Sequence, residues 1–145
     1  MIIELRPQPF DPWREQAALL QRRPELRGRY GANAVFVGTM RDFNEGDTVR
    51  GMTLEHYPGM TEAELERLCV ECGEGHDVLE LLVLHRVGEI SPGDDIVLVS
   101  VWTAHRASAF EVCRGVMEAL KHRAPFWKKE RLVEGERWVE KNTPG

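Results

Sequence analysis

Three cysteines in 145 residues are too few for a disulfide framework. No apolar stretch approaches the roughly 20 residues that a membrane-crossing helix needs. Met1-Ile2-Ile3-Glu4 has neither the basic start nor the long apolar core of a secretion signal, so a cytoplasmic protein with no membrane partner is expected. Positive charge is also scarce: 19 Lys and Arg stand against 24 Asp and Glu, a formal net charge of −5. Non-specific nucleic-acid affinity comes mainly from phosphate neutralisation, so this balance argues against a nucleic-acid partner. Any anion the chain binds must meet a local cluster of cations. There is no Walker loop, dinucleotide glycine fingerprint or G-x-S-x-G, which leaves a nucleotide-dependent enzyme and a serine hydrolase without support. Repeats and low-complexity tracts are missing too.

What is present is the composition of an ordinary globular domain spanning 1–145, with 42% hydrophobic and 30% charged residues. Ile2 to Leu5 reads as a strand. Asp11-Pro12 is an N-cap followed by proline at the first helical position, and Trp13, Ala17 and Leu20 then keep helical spacing. Arg22 to Arg29 reads as a loop. Ala32 to Thr39 alternates as a strand, and Arg50 to Tyr57 suggests its partner. Thr61 with Glu64 forms a capping box for the next helix, with Met60 stapled onto Leu65. Val78 to Val87 and Ile96 to Thr103 are apolar enough for central strands, joined across Ser91-Pro92-Gly93-Asp94 as an antiparallel hairpin. Phe110, Cys113, Met117 and Leu120 recur at helical steps, and Trp138-Val139 closes a last short strand. Hairpins mixed with helices give α+β with mainly antiparallel sheet.

Cys69-Val70-Glu71-Cys72, with His76 beyond, is half of a zinc motif. Tetrahedral zinc needs four ligands, and no second pair supplies the rest. Both cysteines lie on the apolar stripe of a helix, where cysteine packs as a small hydrophobe, so no metal is expected.

The cations concentrate between Lys121 and Arg131, where five Lys or Arg meet one Glu in an otherwise acidic chain. Pro125 ends the preceding helix near Arg123, which puts Lys121 in its last turn and at the edge of its apolar stripe. Lys128 begins the returning segment. Burial and a neighbouring like charge both lower a lysine's pKa, which makes it a usable proton acceptor near neutrality. A solvated basic turn with Phe126 and Trp127 in the core is the plainer alternative. Arg41 after one strand end and His105-Arg106 after another have the chemistry to hold a phosphate. Singly, each reads as a surface charge; their repetition beside rigid elements suggests a site.

These segments are similar to the large, catalytic subunit family of molybdopterin synthase. The resemblance rests on Phe36-Val37-Gly38-Thr39 with Arg41 and Asn44-Glu45-Gly46, and on Leu54-Glu55-His56-Tyr57-Pro58-Gly59-Met60. It continues through His85-Arg86-Val87-Gly88, Pro92-Gly93-Asp94, Ala104-His105-Arg106, Ala109-Phe110 and Leu120-Lys121. It ends with Ala124-Pro125-Phe126-Trp127-Lys128 and Trp138-Val139. It implies an α/β hammerhead-like fold with an additional mainly antiparallel sheet. It further implies a homodimer of large subunits within a heterotetramer, whose small ubiquitin-like sulfur-carrier subunits end in a Gly-Gly thiocarboxylate. The implied reaction is a sulfur transfer that converts cyclic pyranopterin monophosphate to molybdopterin without a metal or other cofactor. Lys121 would be the catalytic group, with Lys128 assisting and holding substrate. Thr39, Met40, Arg41, His105, Arg106, Lys129 and Glu130 would complete substrate binding. Members of the family often carry an arginine shortly after Trp138-Val139-Glu140 that acts across the dimer; here Lys141 follows. A non-catalytic module that binds ubiquitin-like tails or small anions is the rival from another class.

Overall fold

The two most apolar runs lie at the centre of a four-stranded sheet. A computed structural model describes residues 1–140 of the chain. In chain order the elements are β1 (Ile2–Arg6), α1 (Pro12–Arg22), β2 (Ala32–Thr39), β3 (Phe43–Asn44) and β4 (Asp47–His56). Then come α2 (Met60–Gly73), β5 (Val78–Arg86), β6 (Gly88–Ile90), β7 (Asp95–Thr103), α3 (Arg106–Arg123), β8 (Phe126–Leu132) and β9 (Glu136–Trp138). The first sheet has the order β1-β5-β7-β2, parallel only between β1 and β5. The second runs β3-β4-β8-β9, with β6 also paired to β4. This is the expected hammerhead-like α+β fold with an additional, antiparallel sheet.

Both faces of the first sheet are covered, which is why β5 and β7 read as continuous apolar runs. Val83, Val97, Val99 and Val101 pack under α2 and α3, while Leu82, Leu84, Leu98 and Trp102 pack under α1 with Leu19 and Leu26. Cys69 and Cys113 belong to the first of these layers, with Cys72 packed against it, and burial pushes the Cys69 thiol up to about 12. A third cluster, Met40, Val49, Met52, Leu54 and Ile90, lies beneath the second sheet.

Four local expectations change. The buried face of α1 is Pro12, Gln16 and Leu19, and Trp13 is 64% exposed. Gln16 is drawn inward because its Oε1 accepts from the Ser100 hydroxyl at 2.7 Å. On α3 the buried stripe is Ala109, Val112, Cys113, Val116, Met117 and Leu120, leaving Phe110 exposed. The cap of α2 is Gly59, whose N–H donates to Glu62 at 2.7 Å. Thr61 instead joins two elements: its hydroxyl accepts from Tyr57 N–H at 3.0 Å and donates to the Pro125 carbonyl at 3.0 Å. Finally, β2 pairs with β7, and β4 pairs with β8, β6 and β3.

The β2–β7 register slips at the end of β2. Gly38 faces Val97 but Thr39 faces Asp95, so Ile96 is left over as a bulge. Beyond it, Met40 N–H donates to Asp94 O and Gly93 N–H donates to Met40 O, both at 2.8 Å. No helix among the described residues is long and apolar enough to cross a membrane.

Candidate active site

A cavity of about 540 Å³ opens where the two sheets meet. Its walls come from the end of β2 and the residues after it (Phe36 to Arg41), the β3 strand, His85 of β5, Met117 and Lys121 of α3, and Lys128 and Glu130 of β8. A smaller cavity of about 60 Å³, lined also by Leu54, Leu120 and Phe126, shares His85, Lys121, Lys128 and Val139 with the larger one.

The lysines meet here for a topological reason. The α3 helix carries basic residues in its last turn and stops at Arg123, and β8 starts three residues later, antiparallel to β4. Strand alternation sends Phe126, Lys128 and Glu130 to one face and Trp127 and Lys129 to the other. Burial first, and the Lys121 ammonium second, bring the Lys128 pKa down to about 8, with Glu130 opposing. Lys129 is on the outer face, bonded to Glu136 at 2.8 Å and lying over the Trp138 ring.

Glu130 is 6% exposed and fully engaged. It accepts from Asn44 Nδ2 at 3.1 Å and from Arg137 Nε at 3.1 Å. Arg137 also donates to the Asn44 carbonyl at 2.8 Å and to Asp47 at 2.7 Å. The β3–β4 hairpin is thus fastened to the cavity wall. Its two-residue turn holds Glu45 at φ 51° and Gly46 at φ 82°, the positive pair that the right-handed twist of a tight hairpin favours.

Along the first wall, Met40 is buried and the Thr39 hydroxyl donates to Asp95 at 2.9 Å. Arg41 is exposed, with its guanidinium 4.8 Å from the Phe43 ring centre. Gly38 has no room for a side chain, since a Cβ would stand 2.8 Å from Val97 Cγ1.

The structure gathers Thr39, Met40, Arg41, Lys121, Lys128 and Glu130 around one cavity. It does not bring His105 and Arg106 there. They follow Thr103, which pairs with Ala32 at the far end of β2 from Thr39. Eight residues of strand separate the two ends, about 25 Å at the usual rise. Both side chains are exposed, and His105 Nδ1 is 2.9 Å from Asp77 Oδ2. Their similar position after a strand end conceals that β2 and β7 run in opposite directions. Lys141 lies outside the described residues.

Sequence reasoning gave no site role to His85, Asn44 or Arg137. His85 is 4% exposed and stacks on Phe126 with ring centres 4.2 Å apart and planes 15° apart. Burial, then the Lys121 and Lys128 charges, drive its pKa down to about 3, against a bond from Nδ1 to the Arg86 carbonyl. An imidazole beside Arg86 at the end of a strongly apolar run was its one visible signal.

A family model described as "MoaE protein" matches residues 5–123. The chain is 49% identical to the molybdopterin synthase catalytic subunit of Pseudomonas aeruginosa, over 97% of this chain and 91% of that protein. Among solved structures, the molybdopterin biosynthesis MoaE protein of Burkholderia ambifaria superposes with a TM-score of 0.78 at 46% identity, covering 95% of this chain and 88% of that one. Molybdopterin synthase from Staphylococcus aureus gives a TM-score of 0.82 at 27% identity, covering 96% and 97%.

Proposed function

We infer that this chain, which belongs to the MoaE protein family, is a catalytic subunit of molybdopterin synthase in molybdenum cofactor biosynthesis. Its step is a sulfur transfer. Cyclic pyranopterin monophosphate enters the cavity and leaves as molybdopterin, its two sulfurs drawn from the thiocarboxylated Gly-Gly end of a small ubiquitin-like subunit. The observation that carries this assignment is the lysine pair, because Lys128 is brought to about 8 beside Lys121 in a cavity of substrate size.

The pair supplies what the reaction demands. Opening a cyclic phosphodiester requires a proton at the departing oxygen, and the water lost as the dithiolene forms requires another. With its pKa brought to about 8, Lys128 exchanges a proton near neutrality, and the Lys121 amine beside it is a second proton carrier. Lys121 is the principal proton-transfer group; Lys128 assists it and holds the anionic substrate. Arg41 at the mouth takes the phosphate bidentately. Thr39, Met40 and Glu130 shape the walls, and Lys129 contributes through its backbone.

His105 and Arg106 cannot reach the same phosphate within one chain. In a homodimer of large subunits the second copy provides them, and each site then draws on both chains.

The test is dithiolene formation from pterin substrate and thiocarboxylated partner. Lys121→Ala should lower turnover by about 10²–10⁴-fold while partner binding is kept. Near-normal turnover in a folded, partner-bound Lys121→Ala would remove the assignment. A wild-type chain that bound the tail but formed no dithiolene would be a tail-binding module.

A further inference from the structure

His85 is a titratable side chain on the cavity wall to which the scheme above gives no task. It sits near the end of β5, after the apolar run Leu81 to Leu84 and before Arg86. Its ring is held twice: by the stack on Phe126, and by Nδ1, 2.8 Å from the Arg86 carbonyl oxygen. A carbonyl oxygen only accepts, so Nδ1 carries the proton and Nε2 is the unprotonated nitrogen. A phenyl ring would make the same stack without the desolvation cost of an imidazole. The larger and the smaller cavity both have His85, Lys121 and Lys128 in their walls, so the imidazole lies where the two cavities adjoin and where the lysines meet.

We propose that His85 is a positioning residue for the lysine pair: Nε2 accepts a hydrogen bond from whichever of Lys121 and Lys128 is protonated, and so fixes where the pair's charge resides. The proposal deepens the sulfur-transfer reading and rests on it. When two crowded ammonium groups share one proton, that proton has two nitrogens on which to sit. An acceptor in the wall gives the remaining N–H a fixed direction. Among the described residues, the charged and titratable groups around Lys128 are Lys121 from α3, Glu130 from β8, Arg41 from the segment after β2, and His85 from β5. Glu130 is already engaged by Asn44 and Arg137. A second free carboxylate would hold both lysines protonated, and another cation would repel them. A buried imidazole, neutral throughout the range in which Lys128 titrates, does neither.

Four measurements decide it. In the wild-type protein, nitrogen NMR of the labelled imidazole should show Nδ1–H and an unprotonated Nε2 across neutral pH. In His85→Phe, which keeps the stack and loses the acceptor, kcat should fall about 10–10²-fold with KM nearly constant, as for a misplaced catalytic group. The Lys128 titration, followed by NMR of side-chain-labelled lysine, should move below about 8, because the lost acceptor had favoured the charged form. His85→Gln, whose amide reaches toward the place of Nε2, should recover most of the rate.

An Nε2–H tautomer in the wild type would overturn the proposal, and that experiment needs no variant to fold. So would a folded His85→Phe with wild-type turnover and lysine midpoint, or a His85→Gln no faster than His85→Phe. Failure of the broader reading looks different. If Lys121→Ala and Lys128→Ala both turn over normally, the lysine assignment itself is wrong. If they are inactive while His85→Phe is unaffected, only the present inference falls.

Discussion

At one end of the β2–β7 strand pair, Arg41 stands at a cavity that also contains Lys121, Lys128, His85 and Glu130. At the other end, His105 and Arg106 lie in solvent, with His105 bonded to Asp77. The residue types are alike and both groups follow a strand. What separates them is enclosure. At the first end α3, β8 and the β3–β4 hairpin close around the charges, water is thinned, and the Lys128 pKa falls to about 8. At the second end nothing among the described residues covers the side chains. A cation acquires reactivity from its walls; without walls it remains a solvated charge until another molecule provides them.

The largest effect expected breaks this contrast directly. Lys121→Ala should lose about 10²–10⁴-fold in turnover, and Arg106→Ala should weaken substrate binding on its own. Mixed and allowed to exchange subunits, the two impaired chains should regain full activity in about a quarter of their sites, because half the dimers are mixed and each has one intact site. No recovery on mixing would show that the exposed end does not serve the cavity of a second copy.

Next is Lys128→Met, which should lower turnover by about 10–10²-fold and yet stabilise the fold by about 1–2 kcal/mol. The sign follows from linkage. Lys128 has a pKa of about 8 in the folded chain against 10.5 when exposed, so between these values the unfolded state binds more protons. Its burial therefore costs stability below pH about 8, and the cost is relieved as pH rises toward 10.5. Denaturant midpoints at two pH values would check it, the gain from Lys128→Met shrinking at the higher pH.

Arg41→Lys should raise KM about tenfold with kcat nearly unchanged, since an ammonium cannot reproduce the guanidinium fork. An equal fall in kcat would place Arg41 in the chemistry instead of at the mouth. The smallest effect belongs to the support behind the enclosed end. Thr61→Val keeps the shape but strips the bonds to Tyr57 and Pro125, which should lower stability by about 1–2 kcal/mol in a melt while turnover barely changes.

The central strands were plain in the sequence because Ile96-Val97-Leu98-Val99 and Leu81-Leu82-Val83-Leu84 are apolar on both faces, as a sheet covered on both sides must be. The end of α3 was equally plain from Pro125. The β8 strand was not legible. Its alternation places Phe126 and Leu132 inward with Lys128 and Glu130 between them, and a charged inward position erases the apolar period. The α3 stripe was misjudged because Phe110 outweighs Ala109 in hydrophobicity, although close packing against the sheet admits the smaller residue. Strand partners failed for a similar reason: Arg50 to Tyr57 shows a strand, but only the whole topology assigns it to β8. The lysines and Arg41 were legible as types. That His105 and Arg106 lie at the opposite end required knowing that β7 runs against β2.

The leftover residue at Ile96 exposes the mouth of the cavity to errors of counting as well as errors of chemistry. Any apolar side chain at 96 would satisfy its surroundings, so substitution there should be forgiving. Excision is another matter. Without the extra residue, Gly38–Val97 and Thr39–Asp95 become consecutive pairs of an unbroken ladder, so Asp95 keeps the Thr39 hydroxyl it now meets at 2.9 Å while the bend and added twist of the bulge are lost. The turn before β7 would keep the two backbone bonds that anchor Met40, but the end of β2 would leave the sheet at another angle. The valine and leucine layers past Val97 would remain, and the chain would still fold around them. Arg41 would then lose its aim, and a length scan through 94–97 would find a well-folded protein with a misdirected mouth.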